Sequence, residues 1–257
     1  MREAVALPRP PGPLPLAFLN TDLGEHVPMR SRIEAAERLT VSGAVGWPVL
    51  FAAYRSGEPA ASGGVWDRAR AVQALDAALD AGDPATTAEA ILTADAALAD
   101  RGVRVAFAEA YGDRLARLDP AFLPQAARAA VAELLLLAGA PDAARHARGA
   151  DGDQRFAALL AIGGAGTPPA AVGDAMAAAA LAGLAAETSA DDRERRLAGL
   201  LGEGRQGRAI LGALDLVQSG SQVDPPALRA AVLTLRLAGQ TEAARAIALQ
   251  TLLAGGA

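Results

Sequence analysis

Apolar positions along this chain of 257 residues recur at three- and four-residue spacing over most of its length. That period marks amphipathic helices rather than strands. The clearest case is residues 224–254. Leu228, Val232, Leu235 and Ala238 fall on one face, Asp224 offers an N-cap, and Pro225 stands at the first helical position, where its missing N–H costs nothing. Gly239 breaks the run, Thr241 offers a second cap, and Ala244, Ile247, Ala248 and Leu252 form the next stripe. A helix–turn–helix of this size cannot bury its stripe alone and needs neighbours like itself.

Upstream the same period predicts a helix over 29–41, with Ile33, Ala36, Glu37 and Leu39 in its pattern and Gly43 ending it. Trp47, Phe51 and Tyr54 fall on one face of a short helix. A loop follows, bracketed by Ser56, Gly57, Glu58 and Pro59 and by Ser62, Gly63 and Gly64, and Trp66 opens a helix to Ala81 with Val72, Leu75 and Leu79 inward. Asp83 followed by Pro84 starts a helix to about Ala99, and Val105, Phe107, Tyr111, Leu115 and Leu118 mark the next. Asp119 with Pro120 repeats the start signal. Thr167 with Pro168 predicts a helix through Ala186, so rich in alanine at 177–180 that another helix must pack very close to it. Ser189 with Asp192 predicts a capping box for a helix through Leu201.

Two stretches echo each other a hundred residues apart. AAVAELLLLAGAPDAAR at 129–145 parallels RAAVLTLRLAGQTEAAR at 229–245, sharing the order L-x-L-A-G-x-x-x-A-A-R and the turn glycine. Shorter versions of the turn are read at 79–82, 181–183 and 201–204. This pattern is similar to the tetratricopeptide-like helical-repeat class over residues 65–256. The resemblance implies an all-α, right-handed stack of antiparallel helical hairpins, an α-solenoid, whose concave face binds peptides or protein segments. The alanine-rich region also loosely resembles the non-catalytic helical part of bacterial lytic transglycosylases. The catalytic Glu–Ser pair of that family occurs nowhere here, so no activity of that kind is implied.

Composition sharpens the fold class. Alanine makes up about a quarter of the chain, and alanine is the strongest helix former. Five prolines within 8–16 favour polyproline II, as an extended arm or as a ligand for an aromatic groove. The expected organisation is therefore a proline-rich arm over 1–28, touching the body through Leu16, Phe18 and Leu19, and an all-helical repeat domain over 29–257. Within that domain, 29–82 is the aromatic-rich part and 83–257 holds the repeat-like hairpins.

Several chemistries are excluded outright. The absence of cysteine removes disulfides, thiolate nucleophiles and cysteine-ligated metals, and the absence of lysine removes Schiff bases and P-loop phosphate binding. The all-arginine basic set reads as the codon bias of a GC-rich genome. A net charge of −5 from interspersed charges argues against sequence-independent nucleic-acid binding. The amino terminus lacks the pattern of a signal peptide, and the uncharged run at 156–173 is too rich in glycine and proline to span a membrane.

Candidate chemistry is sparse. The two histidines, His26 and His146, belong to no metal-binding pattern, and no nucleophile elbow or local triad signal involves Ser62. No catalytic residue, metal or cofactor is expected. Gly163, Gly164, Ala165 and Gly166 before Thr167 could present N–H groups to an anion, but an interhelical loop is the better reading. Glu58 and Asp67 flank the aromatic loop as a carboxylate pair, and Arg193, Arg195, Arg196, Arg205 and Arg208 form a positive stretch open to an acidic partner.

The aromatic residues are the least generic feature. Trp47, Phe51, Tyr54 and Trp66 are the candidate binding residues, since exposed Trp and Tyr dominate binding hot spots, with the glycines and serines at 56–64 as a mobile rim. A local core closing the helical stack is the competing reading. Three functions follow as expectations. The first is a non-enzymatic scaffold or adaptor binding a protein or peptide segment. The second is an enzyme or small-ligand binder with its site near 47–66. The third is an envelope-associated accessory protein whose export signal lies upstream of Met1.

Overall fold

The computed structural model of the chain describes residues 19–99, 101–149, 153–218 and 223–253. The prolines at 8–16, with Leu16 and Phe18, lie outside the described residues. All regular structure among the described residues is helical, in thirteen α-helices and two short 3₁₀ turns. They are α1 Met29–Val41, α2 Trp47–Tyr54, α3 Val65–Ala81, α4 Pro84–Ala99, α5 Arg104–Leu115, α6 Gln125–Leu137 and α7 Pro141–Arg148. The rest are α8 Gln154–Gly163, α9 Ala175–Ala185, α10 Asp192–Gly202, α11 Gln206–Asp215, α12 Pro225–Leu237 and α13 Thr241–Leu253.

Aspartate starts many of these helices. Asp83, Asp153, Asp174, Asp191 and Asp224 each accept hydrogen bonds from first-turn N–H groups of α4, α8, α9, α10 and α12. Such a cap satisfies donors that have no partner within the helix. Two expected starts move. Thr167 does not open a helix; the chain from 167 to 174 is non-helical, and α9 begins after Asp174, a stronger cap than Thr167. Ser189 is not the cap of α10 either. Asp191 fills that role, and Glu194 reaches back to the Ala190 N–H at 2.6 Å, so the observed pair lies two residues beyond the expected one. Asp119 caps only the 3₁₀ turn Pro120–Phe122, ahead of α6.

The hundred-residue echo corresponds to one repeated turn. After α6 and after α12, Gly139 and Gly239 adopt φ of 75° and 77°, and the next residue's N–H bonds back five positions, Ala140 to Leu135 and Gln240 to Leu235, both at 2.8 Å. Glycine holds this left-handed conformation without the penalty that a β-carbon brings. The turn between α10 and α11 repeats it at Gly204, with Arg205 bonded to Leu200 at 2.8 Å. The stretch 181–183 is different. Gly183 lies inside α9, where a β-carbon would come 2.8 Å from the carbonyl oxygen of Arg229 and 3.0 Å from Val232. It is a close-approach glycine, and the alanine-rich α9 makes its main contact with α12.

Many helices pack on their neighbours in the chain, α1 with α2, α3 with α4, α6 with α7, α10 with α11 and α12 with α13. The pairing is not purely sequential. α12 packs on α9, and α13 on α6, α8 and α9, so the last hairpin closes over the middle of the chain. One core runs through the helices, from Ile33 and Leu50 to Leu249 and Leu253. A small satellite of Leu19, Ala35 and Leu39, joined by Leu23 and Val45, seats the segment before α1. Among the described residues no helix is long and apolar enough to cross a membrane.

Candidate functional site

The four aromatic candidates part company. Phe51 and Tyr54 are fully buried, Trp66 is half-buried against the core, and Trp47 is 36 % exposed at the start of α2. The inward face of α2 meets α5. Phe51 packs edge-on to Tyr54 and Tyr111, with centroids at 5.7 and 5.4 Å, and stacks on Phe107 at 6.5 Å. This cluster joins residues more than fifty positions apart. Sequence periodicity marks each stripe but not which stripes meet.

Two polar networks hang from this core. Arg55 lies over Phe51 and Tyr111, donates to Asp76 at 2.7 Å and to the Tyr111 hydroxyl at 2.9 Å, and that hydroxyl donates to Asp76 at 2.8 Å. Burial, then the hydrogen bond and charge of Asp76, push the Tyr111 phenol well above its ordinary range, against the opposing pull of Arg55. The second network is more enclosed. Arg68 grips Glu37 with two hydrogen bonds, at 2.6 and 2.8 Å, and the Tyr54 hydroxyl donates to the same carboxylate at 2.8 Å. Glu37 and Arg68 are both buried. Burial pushes the Tyr54 phenol up, and the Glu37 carboxylate adds to the effect by charge and hydrogen bond. For Arg68, burial works against the charge, but Glu37 more than offsets it and the net direction is upward.

The Glu37–Arg68 pair forms part of the wall of a cleft of about 500 Å³. One side is α1, carrying Arg30, Glu34 and Arg38; the other is residues 61–64 with the first turn of α3, including Trp66; Arg101 closes one edge. Among the described residues four guanidinium groups and two carboxylates line the cleft, Arg30 and Arg68 paired with Glu34 and Glu37, so this lining is positive on balance. The first turn of α3 adds to it through the helix dipole. Gly63 and Gly64, at φ of 87° and 57°, bend the chain into α3 in a conformation that side chains resist.

Several hydrogen bonds tie the loop at 56–64 to its surroundings. Gln73 donates to the carbonyls of Tyr54 and Gly57 at 2.8 and 2.9 Å, Arg70 holds that of Ala61 at 2.8 Å, and Asp67 accepts from the Gly63 N–H at 3.1 Å. Asp67 is thereby committed to the loop, its carboxyl held below the usual range first by Arg70 and then by Gly63. Glu58 is exposed and is not among the residues lining the cleft.

The glycine-rich stretch at 163–166 ends α8 rather than starting a helix. Two arginines meet carbonyls at this helix end: Arg245 donates to Ile162, in the last turn of α8, at 2.9 Å, and Arg145 donates to Ala165. These are the two arginines that the hundred-residue echo pairs. Among the described residues no group of three or more histidine, aspartate or glutamate side chains is placed to hold a metal ion.

Sequence reasoning singled out Trp66 at the cleft but missed Arg68, Arg38, Arg101 and Glu37 as its lining. The one signal was Glu37, a carboxylate in phase with Ile33 and Ala36 on a buried stripe, which demands a buried partner. Comparison with protein-family models, with curated proteins and with solved structures gave no match.

Proposed function

We propose that this protein is a non-catalytic helical scaffold of the stacked-hairpin type, akin to tetratricopeptide-like repeats. It binds an acidic segment of a partner protein in the cleft between α1 and residues 61–66. The observation that carries this reading is the positive lining of an open cleft with a tryptophan in its wall. Arginine and tryptophan are the residues most enriched at binding hot spots, and a guanidinium meets a carboxylate through two parallel hydrogen bonds. The recurring turn at Gly139, Gly204 and Gly239 supports the hairpin-scaffold part of the reading.

A second reading, a small-anion binder, draws support from the cleft volume of about 500 Å³, which falls within the range of small-molecule pockets. One titration separates the two. Trp47→Phe leaves Trp66 as the sole tryptophan, and its fluorescence is followed against a glutamate- and aspartate-rich peptide, against succinate and against inorganic phosphate. Saturable peptide binding, weakened at least tenfold by an Arg38→Glu, Arg101→Glu double substitution with helicity retained, supports the scaffold. Saturation by succinate or phosphate alone moves the reading to a small ligand. No response to any of them refutes both.

A further inference from the structure

We propose a second docking surface, independent of the first cleft: a groove along the α10–α11 hairpin that accepts an acidic amphipathic helix from a partner. α10 and α11 pack on each other and on α12. Few of their residues are buried: Glu194 and Leu197 on α10, and Ala209 and Ala213 on α11. The apolar residues left over gather around a groove of about 300 Å³.

Its floor is Leu197 and Gly212. The lack of a side chain at Gly212 keeps the floor low, since a β-carbon there would come 2.8 Å from Leu197 Cδ2. Leu200, Leu211 and Leu216 form the sides, and Leu211 stands 64 % exposed on the ten-residue α11. The rim is basic: Arg193, Arg196 and Arg208 line the groove against the single carboxylate of Asp215. Arg193 also meets Asp224 at 3.4 Å, a long contact in an exposed setting, and Asp215 accepts from Gln218.

This arrangement selects its occupant. A trough between two helices is filled most closely by a third helix, whose side-chain ridge settles between theirs. An apolar stripe on that helix covers Leu200, Leu211 and Leu216, and its flanks meet guanidinium groups, which calls for glutamate or aspartate on either side of the stripe. A basic helix is repelled by the same rim, and an extended strand leaves the trough unfilled.

The test uses the full chain and a fluorescein-labelled fifteen-residue peptide of leucine, alanine and glutamate with leucine at helical spacing. Two control peptides have the leucines scrambled or lysine in place of every glutamate. In a chain carrying Arg38→Glu and Arg101→Glu, which removes the acidic-peptide site of the first cleft, the expected result is saturable polarisation with the first peptide only, weakened by added salt. Arg196→Glu with Arg208→Glu, or Leu211→Asp alone, lowers affinity at least tenfold with far-ultraviolet circular dichroism unchanged. Because that background already lacks Arg38 and Arg101, the groove's result stays separate from the first cleft's. Equal binding of the scrambled peptide, indifference to the groove substitutions, or no binding at all overturns the proposal. So does a sedimenting dimer that Leu211→Asp dissociates, because the groove is then filled by a second copy of this chain.

Discussion

Replacing Gly183 by alanine measures how tightly α9 and α12 are pressed together. A β-carbon at 183 lies 2.8 Å from the Arg229 carbonyl oxygen and 3.0 and 3.1 Å from Cβ and Cγ1 of Val232. The first contact is backbone and the second a stiff β-branched side chain, so relief requires α12 to shift. Gly199 supplies the matched reference, because it also lies within a helix, α10, and a β-carbon there meets nothing within 4 Å. Alanine in place of a helical glycine brings roughly 1 kcal/mol of intrinsic helix preference at either site. Gly199→Ala therefore stabilises the fold by about 0.5–1 kcal/mol. At Gly183 the same gain is set against an overpacking cost of about 1–3 kcal/mol, placed near its upper end by the backbone contact, for a net loss of about 1–2 kcal/mol. In a chain of this size that loss lowers Tm by about 2–8 °C. Thermal and urea unfolding followed by circular dichroism give both values, and their difference isolates the steric cost. A Gly183→Ala variant that melts level with or above Gly199→Ala would refute the close approach of the two helices.

Three further outcomes follow from the buried networks and caps. The chain has two tyrosines, and both phenols are pushed above their ordinary range, so their contribution to stability is intact below about pH 10 and is lost as pH rises above the unfolded value. Phenolate absorbance at 295 nm should therefore appear only together with loss of helicity, and reversible ionisation near pH 10 with the fold intact would contradict the buried placement of Tyr54 and Tyr111. Glu37→Ala leaves the Arg68 guanidinium buried without its carboxylate and should cost about 3–5 kcal/mol in urea unfolding, whereas a loss under about 1 kcal/mol would mean that the pair is hydrated. Asp224→Ala, which strips the N-cap from α12, should cost about 1 kcal/mol, with Asn at the same position retaining most of the stability.

Local features of the sequence translate well into structure, because they are settled within a few residues. The helices over 29–41 and 84–99, the Asp83 and Asp224 caps, and the shared turn at Gly139 and Gly239 all stand where pattern and cap chemistry place them. The expectations at Gly183 and Thr167 fail for related reasons. A glycine signals a turn or a close approach equally, and only the presence of α12 against α9 decides for Gly183. Thr167 is a weaker cap than an aspartate seven residues on, and the intervening prolines and Gly173 are poor helix formers. The candidate site is less legible still. Trp66 falls at the cleft, but its arginines come from α1, α3 and the turn after α4, which only the packing of these elements assembles. Phe51 and Tyr54 draw attention for their size, and that size sends them inward to Phe107 and Tyr111.

The link between Arg104 and the carbonyl of Leu253, at 2.7 Å and across 149 residues, bears on how the chain is made. At about 5–20 residues per second, roughly 7–30 s of synthesis separate the two ends of that bond. During that interval Arg104 already has Asp95 and Glu133 beside it, while the faces of α6 and α8 that α13 will cover stand open to water. Helices made early thus wait, partly uncovered, for α13 to be made. The yield of folded protein then depends on whatever shields those faces in the meantime.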